Sequence, residues 1–137
     1  MLLAGGVAGE FTLASATPDA LVDRVTLHAG GSNDCGAIAL HQLTLALKGA
    51  KADARIIDGV PIPAHGFSMT ELLALSAKAG LDLVAVECPS DGAVPVPSLV
   101  HWKRGHYSAI VAQRAGFYEV SDPSFPTRWL SLSLIHI

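Results

Sequence analysis

The chain has 137 residues, of which half are hydrophobic and 15% charged, with a formal net charge of -3. That length suits one domain with a real core. The charge leaves no basic footprint for nucleic acid, and no apolar run is long enough to span a membrane as a helix.

In chain order, Met1 to Ala16 is apolar and ends in Ala14-Ser15-Ala16, the small-x-small form of a signal-peptidase site. It lacks an early Lys or Arg and is interrupted by Glu10, which argues against a cleaved signal. Residues 1–19 are therefore set apart from a domain expected over 20–131. Ala20 to Leu27 reads as a short strand or helix. Gly30-Gly31-Ser32-Asn33-Asp34 is a cluster of turn and cap residues. It leads into a buried helix from Gly36 to Lys48, with Asp34 as N-cap and Gly49 as stop. Lys51 to Phe67 reads as a loop or short helix. Ser68 and Glu71 form the S-x-x-E capping box of a second helix, with Leu72, Leu73, Leu75 and Ala79 on its apolar face and Gly80 closing it.

From Leu81 the period changes to that of strands: Leu81 to Glu87, Ser98 to Trp102, His106 to Gln113, Phe117 to Ser121 and Trp129 to Leu132. Pro89 to Pro97 is a loop, and Arg114-Ala115-Gly116 turns the chain between two of the strands. Leu132-Ser133-Leu134-Ile135-His136-Ile137 reads like the translation of a sequencing-library transposon adapter, so 132–137 is treated as a non-native tail and left out of the functional reading. Helices first and an antiparallel sheet afterwards make the expected class α+β.

Three residues suggest chemistry. Cys35 stands at a predicted helix start, where unpaired N–H groups and the helix dipole favour a thiolate. Taken alone, a cysteine beside a helix is more often inert packing. His106 opens a strand, where a lone histidine is usually structural or surface. With Arg114-Ala115-Gly116 as the loop, Gln113 faces Phe117 and His106 falls opposite Pro123–Ser124, so Asp122 lies within a residue or two of His106 across the ladder. A carboxylate there accepts from the imidazole and fixes its tautomer. The plainer reading of Asp122 is an Asx-turn before Pro123. Together the three form a coherent set of nucleophile, base and orienting group.

Asn33-Asp34-Cys35-Gly36-Ala37, followed by a helix, resembles the D-C-G-[AP] nucleophile motif of peptidase family C39, the double-glycine-leader peptidases of bacteriocin export. The stretch from Val96 to Tyr107, with Pro97, His101-Trp102 and Gly105-His106-Tyr107, is similar to the family's histidine segment, and Tyr118 to Pro123 to its aspartate segment. The resemblance runs from about His28 to Phe125. It implies a papain-like fold with N-terminal helices packed on a C-terminal antiparallel sheet. It also implies Cys35, His106 and Asp122 as catalytic cysteine, histidine and aspartate. The family's oxyanion glutamine, six residues before the cysteine, is here Ala29. His28, Asn33, Ser32 and the Cys35 backbone N–H are the candidate replacements, with His28 and Asn33 carried forward.

The other candidates read more plainly. Trp102 is expected to pack, His41 to be structural or exposed, and Cys88 to have no role. His28, Cys35, His41, Cys88 and His101 have no C-x-x-C or H-E-x-x-H spacing, so no metal is expected, and no cofactor. No phosphate loop is present, so any transporter ATPase lies outside this chain. The resemblance implies a thiol endopeptidase that cuts leader peptides after a small-small pair such as Gly-Gly, in the cytoplasm or at the cytoplasmic face of a bacterial membrane. The partners implied are the leader peptide and ABC transporter domains outside the chain. The alternative is a non-catalytic C39-like module that binds a leader or an exported substrate.

Overall fold

A computed structural model describes residues 2–5, 33–49, 53–88, 92–102 and 105–135. Its elements are β1 (Leu2–Gly5), α1 (Cys35–Lys48), α2 (Arg55–Asp58), α3 (Met69–Lys78), β2 (Leu83–Val86), β3 (Ser98–Trp102), β4 (His106–Arg114), β5 (Phe117–Asp122) and β6 (Phe125–Ser131), then a single 3-10 turn at Leu132–Leu134. The strands form one antiparallel sheet in the order β2-β1-β3-β4-β5-β6. The class is α+β, as expected.

The alternation of side chains along each strand sorts the apolar residues onto two faces. Leu99, Tyr107 and Ala109 face the helices and join Ala39, Leu40 and Leu43 of α1 and Leu72 and Leu75 of α3 in one core. Val100, Ile110, Tyr118 and Val120 face the other way and join Val94 and Ile135 in a second. Leu40, Leu43, Leu72 and Leu99 are fully buried. Truncating any of them to alanine should cost about 2–5 kcal/mol.

The capping box at α3 forms as its sequence requires. Ser68 Oγ accepts from the Glu71 N–H at 3.2 Å, and Glu71 Oε2 accepts from the Ser68 N–H at 2.7 Å. The start of α1 differs from expectation. Asp34 occupies the N-cap position, but at φ -92° and ψ -4° it already continues the helical winding, and its side chain makes no cap hydrogen bond. A capping side chain needs the extended conformation that Ser68 adopts, with φ -76° and ψ 161°.

The β4–β5 hairpin also differs in detail. Arg114 pairs with Phe117, so the turn is the two residues Ala115 and Gly116, both at positive φ (51° and 81°), rather than three. A bulge between Ile110 and Ala112 then shifts the register by one. The two departures cancel, so Ile110–Val120 and Ala109–Ser121 pair in the register the three-residue loop predicts. Leu2–Gly5 was not expected to be a strand, yet it lies between β2 and β3. Ala14 to Ala16 and Ala20 to Leu27 lie outside the described residues.

Candidate active site

Cys35 is the first residue of α1, and the turn before it is anchored from two sides. Asn33 Nδ2 donates to the Ala64 carbonyl at 2.7 Å. Gly66, at φ 77°, runs so close that a Cβ there would meet the Asn33 carbonyl oxygen at 3.4 Å. Gly36 is needed for a related reason. A Cβ at that position would lie 3.1 Å from Leu72 and 3.3 Å from the Phe67 Cβ, so a side chain would push the start of α1 off α3. The D-C-G sequence thus seats the cysteine tightly against its neighbours, and Cys35 is only 7% exposed.

That seating governs the thiol. Burial pushes the Cys35 pKa up, the N–H groups of Tyr107 and Gly36 pull the other way by hydrogen bonding, and the nearby Asp34 and Asp122 carboxylates add to the rise. The net direction is upward. Thiolate stabilisation by the helix terminus is therefore outweighed, chiefly by burial and then by the Asp34 and Asp122 carboxylates, whose charge opposes a thiolate. The interaction with the Tyr107 N–H puts the sulfur beside β4, one residue from His106.

His106 is the first residue of β4 and faces Trp102 of β3 across the ladder. Gly105, at φ 73°, precedes it and donates its N–H to the Trp102 carbonyl at 2.9 Å, closing the β3–β4 connection. His106 Nε2 lies 2.8 Å from Asp122 Oδ2, with the histidine side chain 30% exposed and the aspartate 1%. The ring nitrogen left to meet a thiol is thus Nδ1. Asp122 also makes the Asx-turn: its Oδ1 accepts from the Ser124 N–H at 2.8 Å. The two readings of this aspartate are not exclusive, since each oxygen serves one of them.

Two further residues belong to the site. Ser108 Oγ donates to Asp122 Oδ2, the same oxygen that meets His106. Trp102 Nε1 donates to Ser108 Oγ at 2.7 Å. Trp102 is thus more than the packing residue expected of it. Ser108 passed unnoticed, although its signal was present: a hydroxyl at a fully buried position of an apolar strand, on the same face as Asp122 and requiring a partner.

His101 stacks on Tyr107 with ring centroids 4.5 Å apart, and desolvation lowers its pKa. His41 is buried and pairs through Nδ1 with Asp58 Oδ1 at 2.7 Å, a structural role within the helices. His28 and Ala29 lie outside the described residues. Asn33 commits one amide donor to Ala64. Among the described residues no group of His, Cys, Asp and Glu is arranged to hold a metal ion, and no helix is long and apolar enough to cross a membrane.

The model of the peptidase C39 family matches residues 24–135. The chain belongs to the peptidase C39 family. Among curated proteins and solved structures, nothing matches. Membership in C39 supports a cysteine-peptidase type of function for this domain. Cys35, His106 and Asp122 all lie within the matched residues.

Proposed function

We propose that this C39 domain is a papain-like cysteine endopeptidase that cleaves leader peptides after a small-small pair, with Cys35 as nucleophile, His106 as base and Asp122 as the residue that orients the base. The observation that carries the reading is the 2.8 Å contact of His106 Nε2 with Asp122 Oδ2, which leaves Nδ1 as the ring nitrogen that could take a proton from Cys35. The thiol rests protonated in its buried seat. On substrate binding, Nδ1 takes the Cys35 proton as sulfur attacks the scissile carbonyl, and the imidazolium is held by the Asp122 carboxylate. The negative charge that develops on the carbonyl oxygen falls near the start of α1, where the first backbone N–H groups have no helical partner. His28 and Asn33 are the candidate side-chain donors. The tetrahedral adduct collapses by expelling the amine, which receives its proton from His106. Water then attacks the thioester with His106 again as base, releasing the leader and restoring the thiol.

The same reading puts the domain at the cytoplasmic face of a bacterial membrane, with transporter domains outside this chain as partners. Incubation with a synthetic leader ending in Gly-Gly before a short cargo tests it. Cleavage after the pair by the wild type, and none by Cys35→Ala, is the expected result.

One observation favours a second reading. A buried thiol with its pKa pushed up is also what an inert cysteine has, so the domain would then bind a leader without cutting it. Leader binding with no product from the wild type after long incubation would select that alternative.

A further inference from the structure

The direction of each hydrogen bond around Asp122 is dictated by one group that has no choice. An indole N–H only donates. Trp102 Nε1 lies 2.7 Å from Ser108 Oγ, so Ser108 must accept there. Its single proton then has one described acceptor in reach, Asp122 Oδ2. Asp122 already accepts from the Ser124 N–H on Oδ1, and its carboxylate is 99% shielded from solvent. An aspartate that receives on both oxygens is an acceptor toward its last neighbour too. His106 Nε2, 2.8 Å away, must therefore carry the ring proton, leaving Nδ1 with the lone pair.

We propose that Trp102 and Ser108 are a positioning pair that pins the Asp122 carboxylate and so holds His106 in the single Nε2–H tautomer able to take a proton from Cys35. This inference rests on the proposed peptidase reading for its purpose, but its content is the tautomer. The pair touches no reacting atom. Ser108 lies one step beyond the Ala109–Ser121 pair and reaches Asp122 Oδ2, the oxygen that His106, two residues earlier on β4, also meets. Without the serine, Oδ2 loses one of its donors, and the part-buried Trp102 N–H loses its acceptor. The carboxylate is then held by the Ser124 N–H and His106 alone, which loosens its rotation and with it the imidazole's hold on a single tautomer.

The deciding measurement is nitrogen-15 NMR of histidine-labelled protein at a pH where the ring is neutral, with the His106 signals assigned by their loss in His106→Gln. Wild type should show one tautomer with the proton on Nε2. Ser108→Ala should show a mixture or a broadened exchange signal, and Trp102→Phe a smaller change of the same kind. The double variant should match Ser108→Ala alone, since the indole acts only through the hydroxyl. On a leader peptide, kcat should fall between about tenfold and 10²-fold with little change in KM, the mark of a misplaced catalytic group. A wild-type ring protonated on Nδ1 overturns the proposal. So does an unchanged Nε2–H spectrum in folded Ser108→Ala, whatever kcat does. Should Ser108→Ala fail to fold, Trp102→Phe decides by the same spectrum. A wild-type protein that shows the expected tautomers but cuts no leader leaves the positioning pair standing and removes the peptidase reading instead.

Discussion

The two halves of the candidate site are built by opposite means. Cys35 is set by packing: a glycine beside it, Leu72 and Phe67 against that glycine, and a turn tied down at Ala64 and Gly66. His106 is set by hydrogen bonds, in a chain from Trp102 through Ser108 to Asp122 on the sheet face turned away from the helices. Packing fixes a position but leaves a thiol in a dry place with its pKa raised. A polar network fixes orientation and protonation, at the cost of needing every member satisfied. In the proposed reading, Cys35 is not poised by its own surroundings, and its reactivity has to come from the other half.

Removing the reacting atom breaks this arrangement most severely. Cys35→Ala should lose cleavage by roughly 10⁴-fold or more while the fold persists, because alanine fits the start of a helix. Cys88→Ala, on the opposite side of the sheet from the helices, should keep most activity. If the two variants behave alike in a leader-cleavage assay, the packed half does not hold the nucleophile.

The next largest effect belongs to the polar half. Asp122→Asn preserves shape but removes the charge and offers the ring a second donor. It should lower kcat by roughly 10³- to 10⁴-fold. A loss of less than about tenfold would mean that His106 needs no orienting acceptor.

The oxyanion position comes third. By the family resemblance Ala29 stands at the position of the oxyanion amide, so Ala29→Gln should raise kcat, up to about 10²-fold if no other donor acts, with little effect on KM. If His28 fills the role, His28→Ala should cost roughly 3 kcal/mol of barrier. Steady-state kinetics of both variants on one leader separate the cases. Equal and fast rates would assign the hole to the backbone at the start of α1.

Stability shows the smaller effects. A thiol whose pKa is raised by burial holds its proton more tightly in the folded state than in the unfolded chain. Its contribution is complete below the ordinary thiol range and is lost as pH climbs past it. Tyr107, also raised by burial and then by Cys35, acts in the same direction at higher pH. Urea denaturation should therefore show stability falling above about pH 8.5, less steeply in Cys35→Ala. Next to Phe67 of the packed half, Ser68→Ala should cost about 1 kcal/mol through the α3 capping box, read by urea denaturation.

Much of this was legible in the sequence where local chemistry decides the structure. The Ser68–Glu71 box, the Ser98–Trp102 strand and the paired strands that carry His106 and Asp122 all follow from short-range pattern. What escaped depends on distant partners. Leu2–Gly5 is four residues of apolar chain whose strand character comes from β2 and β3, more than seventy-five residues away in sequence. The bulge between Ile110 and Ala112 carries no glycine to announce it, and Ala115 adopts a positive φ without being one. Asp34 looked like a cap by type, and only its dihedral angles show otherwise. Ser108 escaped because a serine in a strand is unremarkable until its neighbours are known to be Trp102 and Asp122.

The central claim is that the hydrogen-bonded half activates the packed half. It is tested most directly with a leader peptide ending in Gly-Gly chloromethyl ketone, in which the thiol displaces chloride and leaves a stable thioether. Intact-mass and peptide mapping should find one adduct, on Cys35, formed quickly in wild type and at least about tenfold more slowly in His106→Ala. An adduct on Cys88, or labelling of Cys35 at the same rate with and without His106, would contradict it.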